Sequence, residues 1–442
     1  MKERFTGFSN IFAYSAGMAG WSIMMNTVSV MLIFLYIPPS NSEMQQLVPA
    51  TPIIGILTVF SVILASGRLI DAVTDPIIAW ASDTLKTKWG RRIPVMFIAI
   101  IPTTVFSILL FFPSHDYESH ENLEWLFIMQ AGFYIFLTLY IVPYNALMPE
   151  LAESKTDKLN LSMYLSLAYV LGIIIASQVP FLSSWFAEDA SALSRNDYRF
   201  AMIIINSIAL ILMFLPILVV NENRYCKAGA AKISVVKSLK TVINNRKFSL
   251  FLIADASFFI TIAIITSGML YYVKVLLDLP EMTASIFMGG MIILSLFCYP
   301  IVLRLAKTWG KKKLILISFG IFAFMFIWIS FMGKLPLSSV LQMVLLAIIT
   351  AFPTAVLGIL PYAIIAEAAE ESAQKTGENT EGMFFAVRTF ADKFGQTIGI
   401  TGFAVLMVLG KDPGNDTGIR MSAWLGFFIS AIAFIVFLNW EE

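Results

Sequence analysis

The sequence predicts an all-α polytopic membrane protein of twelve transmembrane helices in two six-helix halves, on three observations. The first is composition: of 442 residues, 58% are hydrophobic and only 13% charged, with a mean hydropathy of +0.80. A soluble domain carries roughly twice that charge. The second is the recurrence of apolar runs of about 20 residues from end to end, each long enough to cross about 30 Å of hydrocarbon as a helix. The third is loop charge. With twelve spans, the N-terminal segment and the even loops hold 21 Lys and Arg, whereas the odd loops hold six: Arg195, Arg199, Lys274, Lys334, Lys411 and Arg420. That asymmetry places a multi-pass protein in the cell membrane with both termini cytoplasmic.

Taken in order, the first span covers 11–37, too long for a signal-peptide core and without a small-residue cleavage site. Spans two to six follow at 53–81, 95–112, 125–148, 161–186 and 201–220. A polar, basic stretch at 221–247 divides a first half, 1–220, from a second, 248–442. The second half repeats the pattern at 249–273, 283–305, 314–331, 338–366, 383–409 and 422–440. The net charge of +1 offers nucleic acid nothing, and Cys226 and Cys298, in a basic loop and an apolar span, indicate no disulfide framework. His115 and His120 share one polar loop, where two histidines without thiols read as solvated side chains.

Span two carries the costly groups. Arg68, Asp71 and Asp75 fall at i, i+3 and i+7, so one helix face holds a guanidinium and two carboxylates at membrane depth. Each charge at the bilayer centre costs at least about 2.5–3.5 kcal/mol, which implies an interior polar cavity and a function. One arginine does not neutralise two aspartates. Hard monovalent cations take several oxygen ligands, and a carboxylate pair about one turn apart beside the Thr74 hydroxyl supplies them; the same pair also takes H⁺, because buried like charges raise each other's proton affinity. At the end of this span Asp83, Trp89, Gly90, Arg91 and Arg92 form a loop motif. It is echoed by Trp309, Gly310 and Lys311 after span eight, 220 residues later, as expected if the halves arose by duplication.

Arg68-x2-Asp71-x3-Asp75-Pro76 and Ser82-Asp83-x5-Trp89-Gly90-Arg91-Arg92-x-Pro94, together with Pro143-Tyr144-Asn145, Pro149-Glu150-Leu151, Tyr271-Tyr272-x-Lys274, Glu381-Gly382 and Lys393-x-Gly395-Gln396, resemble the glycoside–pentoside–hexuronide:cation symporter family, typified by the melibiose permease. The likeness covers nearly the whole chain. It implies a major facilitator fold and cation-coupled symport of a small organic solute, most often a sugar or glycoside, by alternating access. It further implies that Asp71 and Asp75 bind Na⁺ or H⁺ as the coupling ion, with no other cofactor, and that Thr74 and Thr138 neighbour the ion. By the same likeness, Lys393 approaches the carboxylates from the second half, and Arg68 stands one turn before the first aspartate. Asp83, Gly90, Arg91 and Arg92 match the gating loop of the superfamily.

The charged sugar ligands of the melibiose permease have no counterpart here. Its span-four positions correspond to Ile141 and Asn145 and its span-five position to Leu165 or Ser166, while span one offers Trp21, Ser22 and Asn26. The residues left to line a cargo cavity are Trp21, Asn26, Tyr140, Tyr144 and Asn145. Arg388 and Asp392, four apart, read as a local ion pair, and Asp255 as a charge near the interface. Expected partners are therefore a small-molecule solute and the lipid bilayer, with the chain working as a monomer. Two competing readings are a carrier of lysolipids or other amphiphiles in the same fold, and a receptor or scaffold that no longer transports. No nucleophile–base set, metal cluster or phosphate loop is present on the short polar segments, so no enzyme is expected.

Overall fold

The computed structural model describes residues 5, 7–49, 51–85, 87–152, 155–189, 192–225, 245–376 and 381–440. Residues 226–244 of the expected linker, with Cys226, lie outside the described residues. The elements are α1 (Phe8–Tyr36), a hairpin of β1 (Pro52–Ile54) and β2 (Leu57–Thr58), α2 (Val59–Thr84), α3 (Ile93–Leu109), α4 (Glu121–Leu151), α5 (Lys155–Ser177), a short α6 (Val179–Ser183), α7 (Arg195–Val219) and a single turn α8 (Glu222–Tyr225). They continue with α9 (Arg246–Tyr271), a π-helical turn (Tyr272–Leu276), α10 (Met282–Trp309), α11 (Lys311–Phe331), α12 (Ser339–Thr376), α13 (Glu381–Leu406) and α14 (Thr417–Leu438). Each of the twelve expected spans thus has its long helix. Among the described residues nine helices are long and apolar enough to cross a membrane, counting the π-helical turn with α9. Of the other three, α3 is shorter, and α2 and α13 depart from the composition of a span because they carry Arg68, Asp71 and Asp75, and Arg388, Asp392 and Lys393.

The chain signals its own helix ends. α1 stops at Ile37, before Pro38 and Pro39, which have no N–H to continue the ladder. Ser194 accepts from the Asp197 N–H while Asp197 accepts from the Ser194 N–H, a reciprocal cap that starts α7. Asn245 caps α9 through the Phe248 N–H. Two boundaries differ from the hydropathy pattern. The expected fifth span is broken after Ser177, because Pro180 cannot extend α5 and starts α6 instead. The expected second span does not begin at residue 53: residues 52–58 form an antiparallel hairpin that turns at Gly55, φ +60°. An isoleucine-rich segment is equally apolar as strand or helix, and Pro52 and Gly55 decide for the turn.

The chain forms two compact units. One comprises Met1–Thr51, Val62–Ala230 and Pro280–Ser285; the other comprises Pro52–Ser61, Ala231–Leu279 and Ile286–Glu442. In the first, α1 packs along α5 and α7, and α3 along α4 and α7. The segment Pro280–Ser285 joins this unit through Glu281, which accepts from the Tyr198 hydroxyl at 2.5 Å, and through the Ser285 hydroxyl, which accepts from the Phe181 N–H at 3.1 Å. In the second unit α9 packs along α13 and α14, and α11 along α12 and α14. The α9–α13 seam depends on small residues: a Cβ on Gly395 would lie 2.6 Å from the Ala256 carbonyl oxygen, and one on Gly399 2.6 Å from that of Ile260. Within a bilayer, where lipid is as apolar as leucine, such close backbone approach is what holds helices together.

Gly395→Leu is therefore expected to lower the unfolding temperature of the purified protein by several degrees, whereas Gly290→Ala, whose added methyl meets nothing within 4 Å, leaves it within about 1 °C. Thermal unfolding of both variants in one detergent checks the contrast.

Candidate functional site

The charged face of α2 is held against α4 by a ladder with one rung per helical turn. At the first rung, the Gln130 amide donates to the Ile63 and Leu64 carbonyls at 3.1 and 3.2 Å. At the second, Gly67 admits α4 so closely that a Cβ there would lie 1.9 Å from Gln130 Nε2 and 2.6 Å from Tyr134 Cε2. Arg68 lies over the Tyr134 ring at 5.5 Å and donates to the Ser29 hydroxyl of α1 at 3.3 Å. At the third, the Thr138 hydroxyl donates to Asp71 Oδ1 at 2.5 Å. Residues 130, 134 and 138 recur every four positions and so share one stripe of α4.

Arg68 and Asp71 are each only 3% exposed, and Asp75, one turn further along α2, is half-buried. The Thr74 hydroxyl donates back to the Ile70 and Asp71 carbonyls at 2.8 and 3.2 Å, which fixes its rotamer beside the two carboxylates. The structure thus brings Arg68, Asp71, Thr74 and Asp75 together on one helix and adds Thr138 from another. The donor set is entirely oxygen, the chemistry suited to a hard monovalent ion or a proton. Gln130 escapes sequence reasoning; its only signal is an amide in an otherwise apolar run.

At the other end of α2 the loop motif is a compact latch within the first unit. Gly90 has φ +106°, a left-handed conformation, and the Glu222 carboxylate occupies the space where its side chain would be, 2.1 Å from an ideal Cβ. Glu222 Oε2 accepts from the backbone N–H groups of Arg91 and Arg92 at 2.9 Å each and of Ile93 at 3.4 Å, capping α3 where its free donors and dipole attract an anion. Arg91 and Arg92 both reach Glu150 at the end of α4, at 2.5 and 2.8 Å, and Arg92 also donates to the Ala146 carbonyl. Asp83 lies in the last turn of α2, and its side chain falls outside the described residues. The second unit repeats the device: Gly310 has φ +78°, and Lys311 pairs with Glu367 of α12.

Lys393 lies on α13 of the second unit, next to Asp392. Arg388 and Asp392 form the expected local pair, 3.7 Å apart, and Arg388 also donates to Asp255 of α9 at 2.6 and 3.4 Å, a partner the sequence did not indicate. Asp255, expected near the interface, is 2% exposed, and Arg388 lies over the Tyr362 ring at 4.5 Å. The buried carboxylate 133 residues away holds the guanidinium more closely than the neighbour one turn along, because it offers two oxygens to it.

Of the expected cavity residues, Tyr140 and Tyr144 are corrected to core. Both are fully buried: the Tyr140 hydroxyl donates to the Met213 carbonyl at 3.0 Å, and Tyr144 and Tyr14 each donate to the other's carbonyl at 2.6 Å with rings stacked at 4.5 Å. Trp21 and Asn26 are half-buried and Asn145 is exposed. Trp21 faces Tyr169 of α5, their ring centroids 6.1 Å apart.

Comparison with known proteins gives a family and a fold. The profile of the family described as MFS/sugar transport protein matches residues 13–438. The isoprimeverose transporter of Lactiplantibacillus pentosus is 21% identical over 97% of this chain and 88% of its own length. The sodium-dependent lysophosphatidylcholine symporter 1 of Mus musculus is 22% identical over 77% of this chain and 69% of its own. Among solved structures, a D-xylose–proton symporter superposes with a TM-score of 0.70 at 14% identity, covering 98% of each chain.

Glu222→Ala is expected to lower the unfolding temperature by several degrees, since three backbone donors, those of Arg92 and Ile93 buried, lose their acceptor at about 1–3 kcal/mol for each buried one before water replaces it. Glu222→Gln keeps an acceptor and falls between that variant and wild type. The order of the three melting temperatures checks the cap.

Proposed function

The chain belongs to the MFS/sugar transport protein family, as a cation-coupled symporter of the glycoside–pentoside–hexuronide type, and from that premise we propose that it moves a neutral glycoside together with Na⁺ or H⁺ bound at Asp71 and Asp75. The observation that supports this most is the Thr138–Asp71 contact, which sets an oxygen ligand from α4 beside a carboxylate of α2. A cation there offsets the repulsion between Asp71 and Asp75. The protein with ion and cargo bound then interconverts between inward- and outward-open states more readily than the protein with one alone.

In this reading Lys393 supplies a compensating charge when the ion leaves, and Arg68 keeps the face from carrying two uncompensated negative charges in the empty state. The loop from Asp83 through Gly90, Arg91 and Arg92 acts as the cytoplasmic gate, and both termini lie on that side, as the loop charges require. One chain suffices for the cycle. A second reading, carriage of a lysolipid, is favoured by the likeness to the lysophosphatidylcholine symporter and by the absence of charged sugar ligands on α1, α4 and α5.

Proteoliposomes carrying a cation gradient test both. Asp75→Cys is expected to abolish gradient-driven accumulation of isoprimeverose, and Thr138→Val to raise the cation concentration at half-maximal uptake by about tenfold, the loss of one hydrogen bond to a charged group. Undiminished concentrative uptake by Asp75→Cys refutes the coupling assignment. Accumulation of lysophosphatidylcholine in place of the sugar selects the second reading.

A further inference from the structure

The hairpin at 52–58 turns almost all of its side chains outward. Pro52, Ile53, Ile54, Gly55, Ile56 and Leu57 are exposed, Ile54 at 73% and Ile53 at 56%, and only Thr58 at the base is buried. The strands pair Pro52 with Thr58 and Ile54 with Leu57, and successive side chains of a strand point to opposite faces. Among the described residues, therefore, neither face of the ribbon is covered. Single exposed apolar side chains are ordinary, but four at one tip form a continuous patch. No charge interrupts it: between Glu43 and Arg68 the sequence has none.

The ribbon is fastened to α2. The Thr58 N–H donates to the Ser61 hydroxyl at 3.1 Å, the Ser61 N–H to the Thr58 hydroxyl at 3.1 Å, and the Ser61 hydroxyl to the Thr58 carbonyl at 2.8 Å. α2 has 26 residues, which at about 1.5 Å each span about 39 Å, more than the roughly 30 Å of hydrocarbon. Arg68, Asp71 and Asp75 lie near the middle of that length, so the first turn of α2 stands at headgroup level, on the side of the membrane opposite the N-terminus. The exposed side chains continue along the helix from the ribbon: Val59, Val62, Leu69, Val73 and Ile77 recur on one apolar stripe, away from the charged face. At membrane depth an exposed stripe without a polar group is a face for lipid tails.

We propose that residues 52–57 are an interfacial anchor whose partner is a lipid surface, the leaflet opposite the N-terminus. An open two-stranded ribbon has unpaired N–H and C=O groups along its edges, which hydrocarbon cannot satisfy, so it does not cross the bilayer. Its side chains, isoleucine and leucine on both faces, favour lipid over water. Both demands are met at one depth, about 5–10 Å into the boundary between headgroups and acyl chains, where the edges still reach water. A protein surface would cover one face of the ribbon and leave the other in water, whereas lipid covers both. Through the Thr58–Ser61 cap, the anchor fixes the depth of α2 in the membrane, and with it that of Arg68, Asp71 and Asp75.

The test is the depth of spin labels at Ile53→Cys and Ile54→Cys, each in the full chain carrying Cys226→Ser and Cys298→Ser, reconstituted in vesicles of phosphatidylcholine and phosphatidylglycerol. Relaxation by oxygen, which concentrates in lipid, is compared with relaxation by a neutral nickel chelate, which stays in water. Glu43→Cys, exposed in the same loop, and Phe428→Cys, exposed on α14, give the aqueous and lipid references. Labels at Ile53 and Ile54, on opposite faces of the ribbon, are both expected to favour oxygen, with an oxygen-to-chelate ratio well above that at Glu43 and approaching that at Phe428. A ratio equal to that at Glu43 in either position overturns the anchor and leaves the ribbon in water. Protection from both reagents in either position overturns it too, and assigns the patch to a protein cover such as a second copy of the chain. Should either variant fail to reconstitute, Ile56→Cys or Leu57→Cys takes its place with the same expectation.

Discussion

The structure is organised around the need to keep two carboxylates and a guanidinium inside a membrane protein on a single helix. Lipid cannot solvate them, and one positive charge leaves α2 a negative charge in excess. α4 meets that need turn by turn: Gln130 locks the backbone of α2, Tyr134 takes the Arg68 guanidinium on its ring face, and Thr138 hydrogen-bonds Asp71. Gly67 permits the approach that makes all three contacts reach. A helix that held these charges without the ladder would have to expose them to lipid.

The same economy operates at the latch. Glu222 serves at once as the cap of α3, the neighbour that excludes any side chain at residue 90, and a partner of Arg91 at 3.5 Å. Its counterpart in the second unit, Gly310 with Lys311 and Glu367, preserves the left-handed glycine and one ion pair. A motif repeated 220 residues apart thus has a positive-φ glycine and the same kind of acidic partner in both places, which composition alone would not produce.

Much of this was legible in the sequence for simple reasons. Twelve apolar runs and the spacing of Arg68, Asp71 and Asp75 are one-dimensional signals, and a long helix stands at each run. The hairpin at 52–58 was hidden because hydropathy is blind to the difference between an extended and a helical isoleucine. Tyr140 and Tyr144 read as cavity residues because an aromatic hydroxyl suits either a solute or a backbone carbonyl, and only tertiary structure shows which one it meets. The Arg388–Asp255 pair and the Glu222 cap join residues more than 125 positions apart; no local periodicity encodes such a partner, and the nearer acid at Asp392 is the one that sequence spacing selects.

The central claim is that Asp71, held by Thr138, is an ion ligand. It is tested most directly by titrating Na⁺ at a series of pH values and following the melting temperature of wild type and Asp71→Asn, since any species that binds only the folded protein stabilises it. The account predicts that H⁺ and Na⁺ compete, so that the half-saturating Na⁺ concentration rises as pH falls, and that Asp71→Asn abolishes the response. A Na⁺ response that survives in Asp71→Asn, or a wild type whose stability depends on neither Na⁺ nor pH, contradicts it.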